Sequence, residues 1–593
     1  MRKNRKKHSK LWGLGLVVLS LGTGLQAATQ IKAHELAYQA ALGAHVFHLY
    51  PPWSILTWAG RSAPEGVIPA AFGGLLVTVI GVLFGIAVSQ GLSNRPRANE
   101  TLHGSARWAD KKDIENAGLL PRLPEATGVY VGGWQDPRGT FHYLRHGGPE
   151  HILTYAPTRS GKGVGLVIPT LLSWPMSCVV TDLKGELWAL TASWRRQHAR
   201  NVVLRFEPAA LEGGVCWNPL DEIRLGTDHE VGDVQNLATL IVDPDGRELE
   251  THWQKTSFAL LVGVITHALY KAQNEATAAT LAGIDALFAD PESLFKEMVS
   301  YPHWEGLNHV VANAGAHDMM SRPPEEAGSV LSTAKSYLAL YRDPVVAENT
   351  GRSDFSLKDL MHHENLVSLY IVTQPTDKAR LRSLVRLMLS MIIRALADRM
   401  TFENGRPKAH YKHRLLMMLD EFPSLGRLEI LQEALAFLAG CGIKCYLVCQ
   451  DITQLKSRET GYGPDETITS NCHVQNAYPP NRLETAEHLS RLVGQATIVK
   501  EQITVDGRRL AAFQNHVSRT YQEVQRPLLT PGECLRIPGP VKDVHGSIEQ
   551  PGDMLIQVAG FPPIYGKQPL YFKDPVFLAR ASLPPPATSD RCR

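Results

Sequence analysis

Ala156-Pro-Thr-Arg-Ser-Gly-Lys-Gly163 follows the apolar run 151–156 and precedes the helical run 164–172. A strand, a glycine-bearing turn and a helix, in that order, form the setting of a phosphate-binding loop. Gly161 lets backbone N–H groups curl around phosphate oxygens, and Lys162 offers a point charge to β- and γ-phosphates. The helix N-terminus adds partial positive charge. Thr158, Arg159, Ser160, Gly161, Lys162 and Gly163 are therefore the candidate nucleotide-binding residues, with ATP the expected nucleotide. The string departs from G-x-x-x-x-G-K-[ST] at both ends, with Ala156 for the first glycine and Gly163 for the hydroxyl residue that normally holds Mg²⁺. Taken alone, it also describes a glycine-rich turn with a solvated lysine.

A second string raises its weight. Arg414-Leu-Leu-Met-Met-Leu-Asp420-Glu421 reads as an apolar strand ending in two carboxylates. Asp420 is placed to hold the water shell of Mg²⁺, and Glu421 to orient and deprotonate an attacking water. The apolar run 443–449 ends in Gln450. If that strand neighbours the Asp420 strand, Gln450 lies at the carboxyl edge where open α/β sheets bind ligands, within reach of a γ-phosphate or its water. A plain turn residue is the alternative.

Outward from these strings, short apolar runs at 151–156, 177–181, 202–206, 367–372, 415–419 and 443–449 alternate with amphipathic ones, the pattern of an α/β sheet. Between 228 and about 347 helical periodicity takes over, clearest at 256–270, 278–288 and 328–341, and predicts an all-α domain inserted into the α/β domain. The end of the chain, with Pro584-Pro585-Pro586, reads as a loose tail.

The first ten residues carry Arg2, Lys3, Arg5, Lys6, Lys7 and Lys10, and residues 11–28 and 67–89 are free of charge. Both are long enough to cross roughly 30 Å of hydrocarbon as helices. Arg95, Arg97, Arg107, Lys111 and Lys112 follow the second, whereas 29–66 holds only Lys32 and Arg61 as basic residues. Basic flanks on both outer sides put both chain ends in the cytoplasm and the short loop outside. Gly73, Gly74, Gly81 and Gly85 let such helices approach closely. A cleaved leader is the competing reading of 11–28, but residues 25–28 match a small-x-small site poorly. The expected divisions are 1–10, 11–28, 29–66, 67–89, a membrane-proximal region with the first part of the ATPase domain at 90–227, the insert at 228–347, the second part at 348–580 and a tail at 581–593.

Composition excludes more than it selects. Sixty-one Lys+Arg against 58 Asp+Glu leave a net +3, too little for a generally DNA-coating protein, so attraction to nucleic acid must be local. No helix-turn-helix or zinc pattern suggests sequence-specific reading. Cys441, Cys445 and Cys449 recur every four residues, but their apolar setting favours buried reduced thiols over metal ligands.

Ala156-Pro-Thr-Arg-Ser-Gly-Lys-Gly-Val-Gly165, Thr181-Asp-Leu-Lys-Gly-Glu-Leu187 and Leu419-Asp-Glu-Phe-Pro-Ser-Leu-Gly426 together resemble the coupling proteins of bacterial conjugation and type IV secretion. The similarity runs from the two apolar spans through His103-Gly-Ser-Ala-Arg-Trp-Ala109 to residues 471–494. That family's loop itself carries glycine at the hydroxyl position. The resemblance implies a RecA-like P-loop domain, an all-α domain toward the cytoplasm and a homo-hexameric ring anchored in the inner membrane. It implies ATP and Mg²⁺ as cofactors. Its implied partners are single-stranded DNA bound without sequence preference, a relaxase with accessory DNA-processing proteins, and the components of a type IV secretion channel. By motif, Lys162, Asp420, Glu421 and Gln450 match nucleotide-site positions, and Asp182 and Lys184 a box beside them. An arginine from the adjacent subunit is implied as well, with Arg427, Arg458 and Arg491 all open. Lys378, Arg380, Arg382 and Arg386 open a helix and suit phosphate tracking, a solvated face or a subunit contact. A docking receptor with little hydrolysis, and a related membrane-bound DNA pump, are the other readings of the same residues.

Overall fold

Runs of Val, Ile, Leu, Met and Cys with no polar alternation suit strands covered on both faces, and such strands make up the centre of one large mixed sheet. The computed structural model describes residues 2–60, 67–93, 102, 104–120, 127–244, 246, 249–398, 401–403, 406–408, 410–506 and 516–593, with backbone only for 2–14, 87–93, 401–403, 406–408, 501, 503–506 and 516–521. The sheet strands are β1 Val129–Gln135, β2 Phe141–His146, β3 His151–Tyr155, β4 Ser177–Leu183, β5 Val202–Phe206, β6 Val367–Thr373, β7 Leu415–Leu419, β8 Ile443–Cys449, β9 Cys472–Ala477, β10 Asp553–Val558 and β11 Ile564–Lys567. Their order is β2-β1-β11-β10-β9-β3-β8-β7-β4-β6-β5. From β9 to β5 all pairings are parallel. The wing from β9 through β10, β11 and β1 to β2 is antiparallel.

Successive residues of the central strands serve opposite faces. Leu153, Val179, Leu369, Leu415, Met417 and Leu447 pack into one buried cluster. Ile152, Val180, Tyr370, Leu416, Met418 and Tyr446 pack into the other, together with Val131 and Ile556 of the wing. The six strands expected from apolar runs are all present. The wing was not foreseen: glycines interrupt β1, and exposed Phe141 with half-buried His142 and Tyr143 makes β2 read as a mixed segment.

Between β5 and β6 the chain is helical, with helices Glu230–Val242, His252–Glu275, Leu281–Leu287, Pro291–Ser300, Val310–Ser321, Pro324–Leu338 and Pro344–Asn349. The longest starts at a capping box, where Thr251 and Gln254 satisfy each other's backbone N–H groups. Leu260, Ile265 and Met298 of these helices belong to the same buried cluster as Leu369 and Leu415 of the sheet, so insert and sheet share one core.

The end of the chain corrects the expectation of a loose tail. Val203 N–H donates to Asp590 Oδ2 at 3.0 Å and Asp590 N–H to the Val203 carbonyl at 2.9 Å. Arg205 N–H donates to Ser589 Oγ at 2.9 Å, and the N–H groups of Cys592 and Arg593 reach the Asp354 carbonyl. Strand β5 is the edge of the sheet, and its free backbone groups recruit the tail as cover.

Two compact units are formed, Met1–Leu102 with Ile498–Val524 and His103–Thr497 with Gln525–Arg593. In the first, helices Arg2–Glu35 and Ile68–Ser93 pack along each other. A Cβ on Gly74 would stand 2.5 Å from the Gly24 carbonyl, and one on Gly81 2.5 Å from Ser20 Oγ, so glycine permits the close approach. Among the described residues one helix is long and apolar enough to cross a membrane, at Ile68–Ile86. The expected span 11–28 falls inside the longer helix Arg2–Glu35, and its residues 11–14 lie outside the described side chains.

Candidate functional site

Strand β3 ends between β8 and β9, and the loop that follows is bent by local backbone chemistry. Ala156 N–H donates to the Cys449 carbonyl at 2.8 Å, Arg159 takes φ 58° and Gly161 φ 91°. Glycine is required at 161, since a Cβ there would stand 2.3 Å from Gln568 Nε2 and 2.7 Å from Ile548 Cδ1. Gln568, buried, braces the loop from behind: its Nε2 donates to the Ser160 carbonyl at 2.6 Å and its Oε1 accepts from Gly552 N–H at 3.0 Å. Thr158 and Arg159 are exposed, Ser160 is buried, and Gly161, Lys162 and Gly163 are half-buried. The helix expected over 164–172 begins instead as a π turn, Gly163–Val167, with Ile168 N–H reaching the Gly163 carbonyl, and becomes α only over Ile168–Leu171. Pro169 has no N–H to give to an α ladder at this point.

Strand β8 lies between β3 and β7, so Lys162, Gln450, Asp420 and Glu421 meet at one carboxyl edge. Lys162 Nζ stands 2.9 Å from Asp420 Oδ1 and 3.1 Å from Glu421 Oε1. The other oxygen of Glu421 faces Lys378 Nζ at 3.9 Å, from the first turn of helix Lys378–Leu396. Glu421 has φ 51°, a left-handed conformation that costs a non-glycine residue about 1–2 kcal/mol. Thr181 Oγ1, donating to the Asp420 carbonyl at 3.2 Å, and Ser424 N–H, donating to the Glu421 carbonyl at 2.8 Å, hold that turn.

The electrostatics follow from this clustering. Burial disfavours the Lys162 charge, but the two carboxylates outweigh it and raise its pKa. Burial likewise works to raise the Glu421 carboxyl; Lys162, then Lys378 and a hydrogen bond from Gln450, hold it below the ordinary carboxylate range. A carboxylate so held is ionised and aimed at neutral pH.

The neighbouring box is structural in part. Asp182 is buried and accepts Trp188 N–H at 2.8 Å, fixing the start of helix Glu186–Gln197, and burial pushes its carboxyl up to about 6. Lys184 is exposed, with φ 111°.

The basic helix start, which suited phosphate tracking, a solvated face or a subunit contact alike, divides into separate roles. Arg386 is buried and donates to the carbonyls of Leu425 and Arg427, which removes it from any DNA-facing or solvated surface. Arg380 is paired with Asp377 and Asp343, Lys378 faces Glu421, and Arg382 is exposed. Of the three candidate arginines, Arg427 is paired with Glu429, while Arg458 and Arg491 are exposed. Cys445 and Cys449 are buried in β8 and Cys441 is half-buried just before it; burial pushes the Cys445 thiol up to about 12. Gln568, Ile548 and Tyr478, which back the loop, carry no local sequence signal. Lys378 had one, as a basic residue at a helix start.

A glycine-turned loop after a central parallel strand, with its lysine against the paired carboxylates of a strand two places away, defines a P-loop protein of the α/β class. Residues 107–592 match the family described as type IV secretory system conjugative DNA transfer, and the chain belongs to that family. It is 67% identical over 611 aligned positions to a conjugal transfer protein TraG of Escherichia coli, covering 100% of this chain and 96% of that one. It is 28% identical over 483 positions to protein VirD4 of Agrobacterium fabrum, covering 80% of this chain and 67% of that one. The bacterial conjugative coupling protein TrwBdeltaN70 has the same fold, with a TM-score of 0.54 at 19% identity, covering 80% of this chain and 95% of that one. The plasmid coupling protein TrwB in complex with the non-hydrolysable ATP analogue ADPNP gives a TM-score of 0.54 at 18% identity, covering 80% and 95%.

Proposed function

We propose that this chain is an inner-membrane coupling ATPase of conjugation. In this reading it links a relaxase bound to single-stranded DNA to a type IV secretion channel and uses ATP to drive or gate export, working as a homo-hexamer with a RecA-like motor domain. The observation that carries it is the meeting of Lys162 with Asp420 and Glu421, at 2.9 and 3.1 Å, on a sheet edge that also holds Gln450.

The residues suit a magnesium nucleotide. The left-handed Arg159 and Gly161 bend the loop backbone, and a side chain at Gly163 would meet nothing within 4 Å. Mg²⁺ keeps several waters and takes one or two carboxylates, which suits Asp420 despite the missing hydroxyl at 163. Bound nucleotide would supply the γ-phosphoryl group as electrophile. Lys162 would neutralise its oxygens, Glu421 would orient a water and take its proton on a carboxylate oxygen, and Gln450 would hold that water in place.

Helices Arg2–Glu35 and Ile68–Ser93 would anchor the chain with both ends in the cytoplasm, following the basic flanks. Gly163 favours a second reading, a nucleotide-dependent docking receptor that turns over little. Steady-state ATP hydrolysis by the purified full-length protein, with and without single-stranded DNA, separates the two. Turnover stimulated by DNA and lost in Glu421→Gln is the expected result, with DNA transfer between cells lost in parallel. Transfer at the normal rate by Glu421→Gln sinks the motor reading.

A further inference from the structure

Residues 36–60, most of the segment between the two apolar helices, contain no Asp, Glu, Lys or Arg; Arg61 and Glu65 follow before the second helix. One side of this segment is firmly folded. Tyr50 and Trp58 are buried, with rings 5.2 Å apart, and pack on Ala33. Gln26 Nε2 donates to the Tyr50 carbonyl at 3.0 Å, Thr29 Oγ1 to the Pro52 carbonyl at 2.7 Å and Trp58 Nε1 to the Leu42 carbonyl at 3.1 Å. The other side is apolar and uncovered. Phe47 is 93% exposed and Trp53 62%, and Val46, Leu49 and Leu56 are exposed beside them. An ordered, charge-free segment that shows large side chains outward is built for a non-aqueous or interfacial surrounding.

Its depth selects which one. The span Ile68–Ile86, 19 residues, rises about 28 Å as a helix, close to the roughly 30 Å of a bilayer's hydrocarbon. Ile55 packs with Ala28 and Ala70, one to two residues inside the outer end of that span. Tyr50 and Trp58 pack at Ala33, which is five residues beyond Ala28 on its helix and hence about 7–8 Å farther out. The headgroup layer is about 5–8 Å thick on each side. The two anchoring levels therefore bracket that layer, and the Lys32–Glu35 ion pair, at 3.0 Å, sits at its watery limit.

We infer that residues 46–56 form a collar lying in the headgroup layer of the outer leaflet, with Phe47, Leu49, Trp53 and Leu56 in contact with lipid. The partner is the bilayer itself, in keeping with the preference of tryptophan for that depth. The inference rests on the membrane-spanning reading given above.

The test places a cysteine-linked environment-sensitive fluorophore on the full-length protein in phosphatidylethanolamine–phosphatidylglycerol liposomes, with no other protein present. Labels go at Phe47→Cys, Trp53→Cys, Leu56→Cys, at the exposed polar Gln39→Cys as a water-facing control, and at the exposed Leu76→Cys as an insertion control. The signal of parent protein carried through the same labelling is subtracted. Labels at 47, 53 and 56 should shift to the blue and lose emission to lipid-borne nitroxides near the headgroup, while 39 is quenched by aqueous iodide. Iodide quenching at 53 and 56 equal to that at 39, with 76 quenched by deep nitroxides, overturns the collar alone. Shielding that appears only when channel proteins are added overturns it in favour of a protein partner. No nitroxide quenching at 76 overturns the spanning helix, and the collar with it.

Discussion

Lys162 and Lys444 stand near opposite ends of two adjacent strands, and burial treats them alike; their neighbours do not. Lys162, at the carboxyl edge beyond β3, has two carboxylates within 3.1 Å and is held charged above its ordinary range. Lys444 lies at the amino end of β8, fully buried. It donates to the Gly148 carbonyl at 2.7 Å and contacts His146 Nδ1 at 2.7 Å. Carbonyl and imidazole atoms are hydrogen-bond partners without full charge. Burial, with the Arg414 charge added, therefore pulls Lys444 down to about 7, and burial with the Lys444 charge pulls His146 down to about 3. A buried lysine stays an ammonium where carboxylates compensate its lost hydration, and otherwise becomes an ordinary donor in the fold.

The contrast is sharpest in the reaction rate. Glu421→Gln keeps the shape of the carboxyl edge but removes the proposed base, so kcat for ATP hydrolysis should fall on the order of 10²–10⁴-fold with nucleotide affinity retained. Rapid turnover by this variant, measured at saturating ATP, would move the base elsewhere. Lys162→Ala should weaken nucleotide binding roughly 10–100-fold, the worth of a charge-assisted contact, by equilibrium titration. Lys444→Met should leave that affinity unchanged. Equal losses in the two variants would break the division between a ligand-facing and a structural lysine.

A third measurement reads the folded-state proton directly. Because Lys444 is pushed from an ordinary 10.5 to about 7, the unfolded chain holds a proton between those values that the folded chain has released. Stability should therefore rise with pH across that window, with a slope from this group of up to about 1.4 kcal/mol per pH unit, and fall back as pH drops toward 7. Denaturation of wild type and Lys444→Met from pH 7 to 10 should show the extra slope in wild type alone. Parallel curves would mean that Lys444 stays charged.

The smallest effect is expected behind the loop. Gln568→Ala removes the amide that braces Ser160 and opens space against Gly161. KM for ATP should rise a few-fold, as expected of about 1 kcal/mol from one hydrogen bond, with kcat nearly kept. A fall in kcat alone would show that Gln568 aligns Glu421 and not the phosphate turn.

Local sequence determined what depends on neighbours in the chain. The apolar runs marked six central strands because strands covered on both faces need continuous hydrophobicity. The loop 156–163 and the pair Asp420-Glu421 were legible because a strand end and the first turn after it set where a side chain emerges. The helical stretch between Val202–Phe206 and Val367–Thr373 was legible from its 3.6-residue period.

Which strands lie side by side was left to the tertiary structure, because register and order are settled by long-range packing with no counterpart in local spacing. Only there does β8 come between β3 and β7 and bring Gln450 to the edge. Only there do Gln568 and Tyr478 back a loop some hundreds of residues earlier in the chain. Folding also took Arg386 out of the basic helix start by giving it two backbone carbonyls, and drew the tail onto the bare edge of β5. Charge in a sequence is a count of ionisable groups; whether each one meets water, a carboxylate or a carbonyl is decided by the fold, since the free energy of a charge depends on what surrounds it in space.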